Sequence, residues 1–327
     1  LSAVAFPIQV TVGGKTSRYA AADAQTAFDA AAGGTVRLLD DVSVTEELQI
    51  TKALALDLNG RKISGDIHSS VLNIGADVTI RDGESNNAGG MIINTYTAVE
   101  YGMPIAVYVR SGTLTIEGGT FEASGLANAH ALYANPTSDF ASVIINGGTF
   151  NQNKVTFNSN TTATITGGIF NGTVFIYGRG EISGGDFMQK VQIEDARLKI
   201  SGGTFAEIDS SKAGTLSALL ADGYAFKSTD GTWLTDNELS KTTAANITAV
   251  KAPIQSLALT SDAENDTVEY GQSVTLTADY NVAEDDFSVT LAWYEITDGT
   301  EAALTGTNGA YATLSGLSVG EHKYRVT

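Results

Sequence analysis

Three acidic pairs, Asp40–Asp41, Glu46–Glu47 and Glu194–Asp195, are the residues of this 327-residue chain best suited to proton transfer or cation binding. Two carboxylates converging on one bond can work as general acid and base, and several together can hold calcium. Adjacent residues of a strand face opposite sides, however, so each pair offers one carboxylate to a given face. Glu181, Asp186, Glu194 and Glu207 follow one another along a later stretch and are expected as an acidic stripe, most simply a solvated surface. His68, His130 and His322 stand far apart in sequence, which suits surface or structural roles. The chain has no cysteine, so thiolate nucleophiles, disulfides and zinc–thiolate sites are excluded together. We assign no catalytic residue, no metal ligand and no cofactor from the sequence.

What must position any site is a repeat. "TLTIEGGTF" ends at Phe121, and its relatives end at Phe150, Phe170, Phe187 and Phe205. A period of roughly 18–20 residues with one longer insertion signals a solenoid, in which each repeat forms one coil. Within the repeats Leu114 and Ile116, Val143 and Ile145, Ala163 and Ile165, and Leu198 and Ile200 alternate with polar residues, as inward-facing strand residues do. The paired glycines mark a sharp bend, and the Phe that follows returns to the interior. Stacking then piles Phe on Phe at about 4.8 Å, a core column. Degenerate coils at Leu54–Gly65 and Asp77–Gly83, entered through Gly34–Ile50, bring the expected total to about eight, a rod of roughly 40 Å.

Open solenoid ends expose strand edges. Asp23–Gly34 has the marks of a capping helix, with Phe28 as its apolar anchor, and Thr215–Phe226 repeats the device at the other end before a hairpin around "STDGTW". The stretch "YAAADAQTAFDAAAGGTVRLLDDVSVTEELQITKALALDLNGRKISG", with the coils after it, resembles right-handed parallel β-helix domains of the pectin-lyase-like class, in particular those of large surface proteins of Firmicutes. The resemblance covers about residues 8–235 and implies a fold, not an activity. Enzymes of that class use clustered Asp residues with a Gly-His-Gly, or a carboxylate calcium site with an Arg or Lys base. None of the three histidines lies in Gly-His-Gly, and Arg61, Arg81, Arg110 and Arg179 occur at coil turns without a matching Asp constellation.

The expected organisation is therefore all-β: a right-handed parallel β-helix with terminal caps over residues 1–235, a Thr/Ala-rich linker over 236–252, and an Ig-like β-sandwich over 253–327. The last part holds short alternating strands at sandwich spacing, with Trp293 and Tyr324, but no cysteine pair. It is expected to be an incomplete sandwich, with further domains beyond Thr327. Net charge is −18, more than half of it in residues 236–327, which disfavours nucleic acid and anionic membrane surfaces as partners. No run of about 18 apolar residues is present, so no membrane insertion is expected. The composition and "LSAVAF", which resembles the tail of a signal-peptide cleavage region, suggest an extracellular or cell wall-associated protein of a Gram-positive bacterium.

Aligning the strand that precedes each repeat suggests a lateral binding face. With the first and third residue of each four-residue stretch inward, Val107, Leu132, Thr156, Phe175 and Gln192 form one outward column, and Val109, Ala134, Asn158, Tyr177 and Glu194 another. Phe175, Tyr177, Leu132 and Val107, with Tyr96 and Tyr101 from the loop Asn94–Pro104, are the candidate binding residues, stacking on sugar rings or docking a host protein. The competing expectation is that this loop, or "PTSDF" after Asn135, covers the patch. The leading functional expectation is a non-catalytic, adhesin-like binding protein. A carbohydrate-active enzyme or a structural stalk are the alternatives.

Overall fold

A computed structural model describes residues 6–83, 89–98, 102–137, 140–151, 154–282, 289–297, 300–305, 307 and 309–327, apart from the side chains of Gln255 and Ser256. The chain divides into two compact units, Leu1–Val250 and Lys251–Thr327.

The first unit is a parallel β-helix with three strand ladders. One ladder links Thr35–Leu38, Leu54–Asp57, Val78–Arg81, Gly112–Ile116, Ala141–Ile145 and Thr161–Ile165, then the beginnings of two long strands, Arg179–Ile193 and Leu198–Asp209. A second links Val42–Val44, Lys62–Gly65, Met91–Asn94, Thr120–Ala123, Thr149–Asn151 and Ile169–Phe170 to the middles of the same long strands. The third links Leu48–Ile50, Ser70–Ile74, Ile105–Val109, His130–Ala134, Lys154–Phe157 and Val174–Ile176 to their ends. Each ladder thus has eight rungs, as the repeat count predicts.

The period-two residues of the first ladder fill the interior: Leu114, Ile116, Val143, Ile145, Ala163, Ile165, Leu198 and Ile200 are all fully buried. In the second ladder Phe121, Phe150, Phe170, Phe187 and Phe205 form one column. Their centroids are 5.1, 4.8, 4.6 and 4.8 Å apart and the planes lie within 18° of parallel. Phe226 closes the column edge-on, at 6.4 Å and 89°.

The double glycine before each Phe has two separate causes. A Cβ on Gly202 would stand 2.0 Å from the Ser183 carbonyl oxygen of the preceding coil, so the first glycine permits close approach of neighbouring turns. Gly203 has φ +98°, a left-handed backbone that side chains resist.

Both ends are sealed. Ile8–Val12 pairs antiparallel with Lys15–Tyr19 and with the first-ladder strand Thr35–Leu38, and the helix Ala24–Ala30 buries Ala24, Ala27 and Phe28. At the other end Thr243–Lys251 pairs antiparallel with Leu198–Asp209, burying Ile247 and Ala249. The short helix Asp236–Leu239, held by a Thr235–Glu238 capping box, leads into it. This corrects the expected linker at 236–252. The Thr/Ala-rich stretch is a cap of the β-helix, because the last rung's open edge needs hydrogen-bonding partners that β-prone Thr and Ile residues supply.

The second unit has two three-stranded antiparallel sheets. Val274–Val282 lies between Ile254–Ser261 and Tyr311–Leu314, and Trp293–Thr297 lies between Thr300–Ala303 and Lys323–Val326. Their shared core holds Val274, Leu276, Ala278, Ala312 and Leu314 from one sheet and Trp293 from the other. The indole N–H of Trp293 donates to the Gly309 carbonyl at 3.0 Å.

Candidate functional site

The third ladder carries the candidate face, and its register differs by one residue from the sequence alignment. Leu132 pairs with Val107 on one side and with Val155 on the other, and the pairing slips between His130 and Leu132. Val107, Leu132, Val109 and Ala134 are therefore interior residues, all fully buried. The expected placement of Val107 and Leu132 on the outside is thus corrected. The physical reason is a bulge: Ala106–Val107 and Ala131–Leu132 each put two consecutive residues into the core, so simple alternation misassigns everything before it.

The true outward column is Asn73, Tyr108, Tyr133, Thr156, Phe175 and Gln192. Tyr108 and Tyr133 stack at 5.8 Å. The Tyr108 hydroxyl donates to the Asn135 carbonyl at 3.2 Å, and the Asn158 amide donates to the Tyr133 hydroxyl at 3.1 Å. Phe175 and Tyr177 lie parallel at 6.3 Å, and the Lys154 ammonium stands 6.0 Å from the Phe175 ring centre. All four residues are half-buried. Burial pushes the Tyr108 and Tyr177 phenols up, with the neighbouring Tyr133 and Glu194 respectively adding to it, so both stay protonated donors at neutral pH.

Polar groups frame the strip. At its start Glu47 accepts from Ser70, from Gln49 at 2.5 Å and from Asn73 at 2.9 Å, while the Asn73 amide oxygen is buried without a partner. His130 packs against Tyr133 at 4.7 Å, and its Nδ1–H donates to the Asn128 carbonyl at 2.8 Å. Burial lowers its pKa to about 4, so the imidazole is neutral. Beside the strip a groove of about 580 Å³ runs between Thr95, Glu122, Leu126 and Lys154.

Tyr96 sits apart from this column, edge-on to His68 at 6.3 Å and against Gly102. Tyr101 lies outside the described residues. From the "PTSDF" insertion, Phe140 projects outward, 66% exposed, with the Arg179 guanidinium 5.3 Å from its ring centre. Tyr108, Tyr133 and His130 were missed as site residues, although "YVR" and "LYA" place an aromatic at the same offset in two coils, a signal that the bulge shifts by one position.

The expected acidic stripe disperses. Glu181 lies in the first ladder opposite Lys199, Asp186 in the second opposite Thr204, and Glu207 in the third opposite Lys190. Lys190 is 2.9 Å from Glu207 and 3.3 Å from Asp209, and Arg197 closes on Asp195 at 2.5 Å. Glu194 accepts from Gln192 at 2.7 Å. Among the described residues no group of three or more His, Asp or Glu side chains is arranged to hold a metal ion. Compared with known proteins, the chain matches no family model, and no curated protein or solved structure shows significant similarity to it.

Proposed function

We propose that this chain is a non-catalytic binding protein of a bacterial cell surface or its surroundings, adhesin-like, presenting one side of its β-helix to a glycan or a host protein. The observation that carries the reading is the outward strip of Tyr108, Tyr133, Phe175 and Tyr177, four aromatic side chains held open on a rigid ladder. A protein interior has no use for aromatics on its solvent side, whereas carbohydrate and protein ligands dock on such rings. Asn158 and Gln192, whose amides donate to the Tyr133 hydroxyl and to Glu194, interleave with them and give the strip polar groups beside its rings. The resemblance of residues 8–235 to β-helices of Firmicutes surface proteins supports the extracellular setting.

The test is the double variant Phe175→Ala/Tyr177→Ala on arrays of glycans and host proteins, run beside a reducing-sugar assay on acidic polysaccharides with calcium. The expected result is loss of the array signal with a melting temperature nearly unchanged, since both rings are only half-buried. A steady release of reducing ends would replace the binding reading by an enzymatic one. Silence in both assays would leave the β-helix as a stalk.

A further inference from the structure

The second unit keeps a charged pair on the core side of a sheet. Trp293, Glu295 and Thr297 are alternate residues of one strand and share a face, and Trp293 on that face is core. Across to the neighbouring strand Trp293 pairs with Val326 and Glu295 with Tyr324. His322, just before that strand, reaches the same side: its ring lies parallel to Tyr324 at 6.3 Å, and its Nδ1 is 3.0 Å from Glu295 Oε1. The two side chains are 21% and 33% exposed. The other ring nitrogen, Nε2, points at the Ser318 carbonyl oxygen at 3.0 Å, with the Ser318 hydroxyl at 3.3 Å. A carboxylate and a carbonyl can only accept, so both contacts are hydrogen bonds only when each nitrogen carries a hydrogen. A neutral ring has one N–H and one bare lone pair, and in either tautomer that lone pair faces an oxygen.

Ser318 belongs to the loop Leu317–Gly320, which forms one wall of a groove of about 660 Å³ opposite Leu259, Ala263 and Tyr270. We infer that His322 is a proton-operated latch on this groove: as imidazolium it ties the loop to the strand Trp293–Thr297, and once neutral it releases the loop and frees that wall. Glu295 is the charged group that the neighbouring strand presents to the ring. Beside His322 in sequence, Glu321 and Lys323 pair with each other at 3.7 Å, and Asp266, Glu269 and Tyr270 stand on the groove. Among the described residues no Lys or Arg lines it. The hydrogen bond to Glu295, followed by that to the Ser318 carbonyl, holds the His322 pKa above its ordinary 6.5. The latch is therefore fastened below pH 6.5 and lets go as the pH rises through the raised value. The bare Nε2 then repels the carbonyl, and the Ser318 hydroxyl turns in to donate in its place. His130 answers in the opposite direction, since the β-helix keeps its neutral form.

The experiment uses the absence of cysteine: Val319→Cys gives a single attachment point for a nitroxide, at an 87% exposed position beside Ser318. The mobility of the label is followed by EPR from about pH 5.5 to about pH 9 in the full chain, alone and combined with His322→Gln or Glu295→Gln. Histidine NMR in a His68→Asn/His130→Asn background, where His322 is the one histidine left, reads its titration. The expected midpoint lies above 6.5 and shifts down in Glu295→Gln. The label should loosen as the wild type passes through its midpoint, and its mobility should not depend on pH in His322→Gln. A midpoint at or below 6.5, a label equally mobile on both sides of the midpoint, or a response that survives in His322→Gln each overturns the latch. Should His322→Gln not fold, Glu295→Gln carries the decision: the loosening must move down in pH together with the midpoint, and a loosening that stays in place overturns the inference.

Discussion

Phe170 shows how much one residue of the repeat carries. Its ring lies between Phe150 and Phe187, at 4.8 and 4.6 Å, with no exposure to solvent. Truncation to Ala removes that burial and both stacking contacts, and a rod clamped above and below collapses poorly around the void. Phe170→Ala is expected to lower unfolding free energy by about 3–5 kcal/mol, read from urea denaturation. His130 acts through its proton instead. Its pKa in the folded chain is about 4, below the ordinary 6.5, so between these values the unfolded chain takes up a proton that the folded chain refuses. Stability therefore falls as pH drops from 6.5 to 4 and loses nothing further from this group below that. His130→Asn should remove this component. The wild-type minus variant difference in unfolding free energy, measured at intervals across the window, should shrink on acidification by an amount on the order of 3 kcal/mol.

At the scale of the element, the turns of the coil decide more than the strands do. Gly202→Ala forces a methyl against the Ser183 carbonyl oxygen of the neighbouring turn, backbone that cannot swing aside. Gly203→Ala puts a side chain on a left-handed backbone. The first change is expected to cost more than the second, which should lie near 1 kcal/mol, and paired thermal melts of the two variants rank them. Much of this was legible in the sequence. Alternation in "TLTIEGGTF" and its relatives, with Phe at a steady offset, is a local signal that stacking turns directly into a column. The third ladder was less legible because its bulge is not written in composition: Ala106 and Val107 are both small and apolar, and only the pairing of Leu132 with Val155 shows that both face inward. Hence Phe175 and Tyr177 were found on the outside while Tyr108 and Tyr133 were passed over. The closing strand Thr243–Lys251 was missed because its partner, the last rung, is far back in the chain.

For the molecule as a whole, the two hydrophobic cores share no residue: one runs the length of the β-helix and the other is centred on Trp293. Residues 6–250, which include the sealing strand, are therefore expected to fold by themselves and to reproduce the β-helix melting transition within a few degrees. Calorimetry of the full chain should resolve a second, smaller transition that this fragment lacks. Cutting at residue 235 instead, where the sequence alone put the boundary, would strip the antiparallel partner from Leu198–Asp209. It should yield a soluble fraction that declines with time, as bare strand edges find each other.

The ring column has a consequence for how such a gene can change length. Each of the last five coils delivers one ring at the same station, so excising Asn171–Phe187 would bring Phe205 to rest on Phe170 with all three ladders re-formed. Duplicating that segment would lengthen the rod by one layer just as cleanly. Recombination within the repeats can therefore change the length of the rod in steps of about 4.8 Å without new solutions to the folding problem, and because this segment carries Phe175 and Tyr177 it would remove or double that part of the aromatic strip at the same stroke.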